Sequence, residues 1–215
     1  MKATKCFYFL IVMALMSLFF VLPVNAVVIT FDSVTSNGNT QWTSLTTQGF
    51  DFTGSHFHTV DNRFLGLVDN GTIYLASEAE GNNGRPITMG RAGGGTFKLA
   101  AFDGAEVFWN GTLNGSIILT GNLLNGGTVS AAFDLDGLGD GLGGVDDFQN
   151  FSLGSEWTHL VSVTFDGRMA TGARGSFSLD NISVDESAAV PEPASMLLIG
   201  SGLLGLAGLR KKFKK

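Results

Sequence analysis

The chain has 215 residues, a formal net charge of −6, 44% hydrophobic residues and one cysteine. That length holds one domain with a real core plus terminal segments. The acidic balance excludes nucleic acid and anionic lipid headgroups as electrostatic partners, and a single cysteine excludes an intrachain disulfide framework.

Lys2 and Lys5 precede an apolar run from Cys6 to Leu22, and Val24-Asn25-Ala26 places small or medium residues before a cut after Ala26. This pattern predicts a secretory signal peptide over residues 1–26, with an uncleaved anchor as its rival. Cys6 falls inside it, so the mature protein has no cysteine. Its stability must come from a packed core or bound ions.

The body, residues 27–189, holds 18 acids against six bases, a net charge of −12. It also holds 26 of the 30 glycines, and 13 of its residues are phenylalanine. Short apolar runs alternate with Gly/Asn/Asp clusters and no long 3.6-residue stripe occurs, so an all-β domain is expected over 27–186. Strands are predicted at 27–32, 49–53, 64–68, 72–76, 96–102, 105–109, 116–120, 128–135, 148–153, 159–165 and 175–184. Asn70-Gly71, Asp103-Gly104, Asn114-Gly115 and Asp166-Gly167 read as tight turns between them. In the last run Phe177, Leu179, Ile182 and Val184 are apolar, and the slip of phase at Asp180-Asn181 predicts a bulge.

Between residues 134 and 147 five aspartates, Asp134, Asp136, Asp140, Asp146 and Asp147, are interleaved with glycines. Carboxylates at such spacing suit a hard cation such as Ca2+. The EF-hand pattern fits only in part, because Val145 stands at its twelfth position counting from Asp134, and a solvated acidic loop is an equal alternative. Asp32 and Asp180, near the ends of the first and last strands, are a second possible calcium pair or two ordinary edge carboxylates. His56 and His58 share a face if they lie on a strand and would supply half of a metal site; surface histidines are the simpler reading, and His159 reads as structural. Trp42, Trp109, Trp157 and Tyr74 are candidates for stacking on sugar rings or for core packing. The motifs of the serine-hydrolase elbow, the zinc proteases and the P-loop are absent. The Gly200-Ser201-Gly202-Leu203-Leu204-Gly205 match to a dinucleotide fingerprint lacks a preceding strand and a following βαβ unit.

A small linker (residues 187–193) contains Val190-Pro191-Glu192-Pro193, and sixteen uncharged residues follow from Ala194 to Leu209. Arg210-Lys211-Lys212-Phe213-Lys214-Lys215 closes the chain. Sixteen residues make about 24 Å of helix, short for a bilayer but extendable by flanking residues and snorkelling lysines. A single transmembrane helix within 194–215 is expected, with Arg210, Lys211, Lys212, Lys214 and Lys215 stopping transfer.

Residues 190–215 resemble the PEP-CTERM sorting signal of Gram-negative bacteria that export polysaccharide. The resemblance implies recognition and cleavage by a membrane-embedded exosortase, with an inner-membrane-anchored precursor delivered to the cell surface or matrix. Ile29-Thr30-Phe31-Asp32 and Phe177–Val184 resemble the first and last strands of jelly-roll domains, which look like carbohydrate-binding modules. That second resemblance implies a jelly-roll-like β-sandwich. The resulting expectation is a non-catalytic surface or matrix protein with exopolysaccharide as a possible ligand. The alternatives are a secreted enzyme acting on polysaccharide and a purely structural matrix protein.

Overall fold

A computed structural model describes residues 26–61, 68, 70–77, 84–107, 115–137 and 147–186. All but the last residue of the expected signal peptide, the linker, the Pro-Glu-Pro motif, the apolar run and the basic tail lie outside the described residues. Asn25–Ser187 forms a compact unit by itself.

Eleven strands occur among the described residues: β1 (Ala26–Ile29), β2 (Asn39–Thr47), β3 (Phe50–Val60), β4 (Tyr74–Ser77), β5 (Ile87–Arg91), β6 (Phe97–Glu106), β7 (Gly115–Leu123), β8 (Thr128–Asp134), β9 (Gln149–Ser152), β10 (Leu160–Met169) and β11 (Phe177–Glu186). The hydrogen-bonded order is β8-β7-β10-β5-β3-β4-β11-β6-β9, with β1 against β11 and β2 against β3. Every pairing is antiparallel, both between consecutive strands such as β7 and β8 and between strands distant in the chain such as β1 and β11.

The path folds into two layers because β3 belongs to both. Its first half, Phe50–Gly54, pairs with β5, and its last residues, His58–Val60, pair with β4. One layer is therefore β8-β7-β10-β5-β3 and the other β3-β4-β11-β6-β9. Phe50, Phe52, Ile87, Met89 and Phe165 from the first layer share one buried cluster with Leu75, Leu99, Phe102, Leu179, Ile182 and Val184 from the second. This is an all-β sandwich, the class expected from the sequence.

Aromatic edges hold the middle of the core. Phe102 packs against Phe133 and Phe151, both with centroids at 5.3 Å, and against Phe165 at 5.7 Å. A second cluster, Val60, Val68, Tyr74, Ala76 and Ala105, contains the alternate residues of β4, so that strand is buried on both faces.

The expected strand boundaries are corrected in three places. Residues 96–102 and 105–109 are not two strands joined by an Asp103-Gly104 turn; β6 continues unbroken from Phe97 to Glu106, and residues 108 and 109 lie outside the described residues. Gly104 is there for close approach, since a Cβ would stand 2.8 Å from the Ile117 side chain and 3.1 Å from Phe102. Asp166-Gly167 is likewise interior to β10, and a Cβ at Gly167 would meet the Gly175 carbonyl oxygen at 2.3 Å. Finally, β2 and β5 went unread, and β3 extends past Thr53 to take in both histidines. The turn between β2 and β3 is Gln48-Gly49, with φ of 46° and 81°, the two left-handed residues a two-residue hairpin needs. The bulge at Asp180-Asn181 is present: the β11–β6 register shifts between Asp180 and Ser183, and Asn181 has φ 46°.

Candidate functional site

β6 carries its inward face from Phe102 through Gly104 to Glu106, its last residue, because side chains alternate along a strand. Glu106 is only 5% exposed. One of its oxygens accepts the Gly137 N–H at 2.8 Å, while the other, Oε2, is buried with no hydrogen-bond partner. Burial pushes the Glu106 carboxyl up to about 7, and the charges of Asp136 and Asp147 act in the same direction. Gln149 opens β9 directly opposite Gly104, hence on the face of Glu106, and its Oε1 is also buried without a partner.

The Gly/Asp stretch singled out in the sequence is thus anchored around Glu106 at both ends. Asp136 follows β8 and is exposed, and Asp147 precedes β9 and is buried. Asp134 lies on the exposed face of β8, away from Phe133 and Leu135. Asp140 and Asp146 lie outside the described residues. Glu106 was missed because Asp103-Gly104 read as a turn, although alternation counted on from Phe102 would have placed it inward; Gln149 fell in an expected strand whose pairing with β6 carries no local signal. Among the described residues, no group of three His, Cys, Asp or Glu side chains stands ready to hold a metal.

Asp180 and Asp32 are brought together, close enough for the Asp32 charge to act on Asp180. Asp180 is 1% exposed and accepts hydrogen bonds from the Asn70 amide at 2.7 Å, the Thr72 hydroxyl at 2.9 Å and the Asn181 N–H at 2.8 Å. Burial raises its carboxyl above the usual range, Asp32 adds to this, and the three donors oppose it. Asp32 accepts the Ile73 N–H at 3.2 Å. Both carboxylates tie the Asn70–Ile73 turn to the strands beside it.

His56 and His58 do share a face of β3, with ring centroids 4.8 Å apart. Their Nε2 atoms are 2.9 Å apart, and His58 Nδ1 meets the Asn39 Oδ1 of β2. With Nδ1–H donating to that oxygen, a neutral His58 accepts from His56 at Nε2. The two nitrogens bond each other instead of converging on a common ligand.

Of the candidate stacking aromatics, Trp157 and Tyr74 are each 1% exposed and belong to the core, and Trp109 lies outside the described residues. Trp42 is half-buried, its indole N–H donating to the Thr59 hydroxyl at 2.9 Å.

An open groove of about 560 Å3 lies between the β7–β8 turn and the segment entering β10, lined by Leu123, Leu124, Asn125, Glu156, Thr158 and His159. Its walls are joined by a hydrogen bond from the Leu124 N–H to the His159 carbonyl at 2.9 Å. Leu124 is 68% exposed. His159, expected inside a strand, instead precedes β10 in a left-handed conformation with φ 56° and is exposed.

Residues 189–212 match the PEP-CTERM protein-sorting motif. The C-terminus is a sorting signal. The match begins one residue before Val190 and ends at Lys212, so it takes in Val190, Pro191, Glu192 and Pro193 together with Arg210, Lys211 and Lys212. A protein bearing this motif is exported and processed by an exosortase. No curated protein matches the chain in sequence. Among solved structures, the fold is similar to a DUF4465 family protein from Bacteroides caccae, with 18% identity and a TM-score of 0.48 over 76% of this chain and 100% of that one. It is also similar to the arabinose-bound MgGH51 α-L-arabinofuranosidase, with 13% identity and a TM-score of 0.44 over 73% of this chain and 25% of that one. A family 11 carbohydrate-binding module from Clostridium thermocellum, in complex with a β-1,3-1,4-mixed-linked tetrasaccharide, aligns with 10% identity and a TM-score of 0.31. That alignment covers 76% of this chain and 97% of the module.

Proposed function

We propose that this exported protein is a non-catalytic component of the cell surface or extracellular matrix whose β-sandwich binds exopolysaccharide. In this reading the precursor is held in the inner membrane by residues 194–215 until exosortase acts. The groove between Leu123–Asn125 and Glu156–His159 is the observation that carries the ligand reading. A sugar ring offers an apolar C–H face and a rim of hydroxyls. Leu123 and Leu124 supply an apolar wall for the face. Asn125, Glu156, Thr158 and His159 supply donors and acceptors of both kinds for the rim. Among the described residues Glu156 is the one carboxylate lining the groove, whereas hydrolysis of a glycosidic bond ordinarily uses two across the scissile bond. That favours binding over turnover.

The test is retention of the purified body on exopolysaccharide from a strain carrying the sorting system, followed by affinity electrophoresis. Leu124→Ala and Glu156→Gln are each expected to weaken retention by about tenfold, the effect of losing about 1.4 kcal/mol. Asp51→Asn, a half-buried position on β3 outside the groove lining, is expected to leave it intact. Retention unchanged in both groove variants would overturn the site. Release of new reducing ends would make the protein an enzyme.

A further inference from the structure

We propose that Glu106, Asp136, Asp147 and Gln149 form a site for one hard divalent cation, Ca2+, where β6 ends between the segment leaving β8 and the segment entering β9. The proposal is independent of the sugar reading. It starts from a local imbalance. A carboxylate at 5% exposure needs compensation for the water it has lost, and Glu106 receives it from backbone N–H groups alone, that of Gly137 at 2.8 Å and its own. Its Oε2 is buried with no hydrogen-bond partner, and among the described residues the charges that raise its carboxyl are two more carboxylates, Asp136 and Asp147. The Oε1 of Gln149 on the same face is likewise buried and unbonded. Two orphaned acceptor oxygens, with two acidic groups acting on one of them, describe a place that would accept a positive charge.

The donor set decides the class of ion. All four side chains present oxygen, from carboxylates and one amide, which suits Ca2+ and gives no nitrogen or sulfur for zinc or copper. The described residues do not already gather three acidic ligands at metal spacing. Glu106 Oε2 and Gln149 Oε1 therefore form the fixed inner wall, Asp147 and the exposed Asp136 move onto the ion, and water completes its six to eight ligands. The alternative compensation is a proton on Glu106. The two make opposite predictions. A carboxyl raised from 4.5 to about 7 in the folded protein binds its proton more tightly there than when unfolded. Stability then falls as pH rises from about 4.5 to 7 and levels off above.

The test uses exported protein stripped with EDTA and titrated with CaCl2 at pH 7.5 by calorimetry and thermal melting. One equivalent of Ca2+ should bind and raise the melting temperature. At a hundredfold excess over Kd the folding equilibrium should shift by about a hundredfold. Glu106→Gln should abolish both effects, while its metal-free form melts no lower than the metal-free parent, because the buried charge is gone. Should Glu106→Gln fail to fold, Asp147→Asn is expected to weaken Ca2+ binding by at least tenfold. Asp51→Asn should bind as the parent does. Absence of Ca2+ binding by the parent at millimolar concentration, with stability rising from pH 8 to pH 5, would assign the site to a proton and overturn the proposal. Ca2+ binding unaltered in both Glu106→Gln and Asp147→Asn would put the ion elsewhere and overturn it too.

Discussion

Asn181 is where one residue sets the path of a strand. Its left-handed φ of 46° absorbs the extra residue of the β11 bulge, and its side-chain amide donates to Asp103 at 2.8 Å. Asn tolerates this conformation better than any branched residue. Asn181→Val should therefore cost about 1–2 kcal/mol of strain, with the lost hydrogen bond in addition. Asn181→Gly should lose the bond and keep the bulge. Urea midpoints of the two variants check this: equal midpoints would mean that the backbone conformation carries no cost. The neighbouring Asp180 has the complementary role of acceptor. Asp180→Ala strands the Asn70 amide and the Asn181 N–H, while Thr72 falls back on the Asn70 oxygen at 2.8 Å. A loss of about 1–3 kcal/mol is expected. The bulge was legible in the sequence because a slip of phase is a local pattern. The partners of Asp180 were not, since Asn70 stands 110 residues away.

At the scale of elements, the strands most often misread were those with a glycine inside. A Gly preceded by Asp has the chemistry of a turn, and a single sequence does not show that another chain segment presses on the missing side chain. At Gly167 that segment is backbone, the Gly175 carbonyl, which has no rotamer with which to yield. Gly167→Ala should destabilise by about 1–3 kcal/mol, and its effect should persist when Arg168 and Arg174 are both replaced by Ala. At Gly104 the obstacle is the tip of Ile117. Gly104→Ala should therefore be milder in an Ile117→Val background, and a double-mutant cycle by chemical denaturation measures the coupling. Phe102, two residues before, touches three other phenylalanines. Phe102→Ala should cost about 3–5 kcal/mol, a large part of the 5–15 kcal/mol that typically holds a domain.

On the scale of the whole molecule, the folded body and the sorting signal have separate tasks. A body at −12 has no charge pattern to hold it on a membrane. Retention of the precursor should depend on Ala194–Leu209, with Arg210–Lys215 stopping transfer. Deleting residues 194–215 should release soluble, folded protein. Replacing Pro191, Glu192 and Pro193 with alanine should leave an inserted precursor that keeps its basic tail. Immunoblots with one epitope in the body and another after Lys215 separate the processed and unprocessed states. Processing of the triple-alanine chain at the parental rate would show that the tripeptide is not what exosortase reads.

What the amino-acid sequence determined alone is what depends on neighbours along the chain. The all-β class follows from short apolar runs and turn residues, the bulge from a slip of phase, and the export route from a motif confined to residues 189–212. The cluster of aspartates was visible as composition, but which carboxylate becomes costly was a matter of burial. Only the tertiary structure put Glu106, some thirty residues before Asp136, against the two ends of that stretch, and turned Asp134 outward on β8. It also set Leu124 against Glu156 and His159 across one groove, and moved Trp157 and Tyr74 from candidate platforms into the core. The physical reason is common to all four. Periodicity says which face of a strand a side chain takes, whereas desolvation and unmet hydrogen bonds arise only when distant strands close over it.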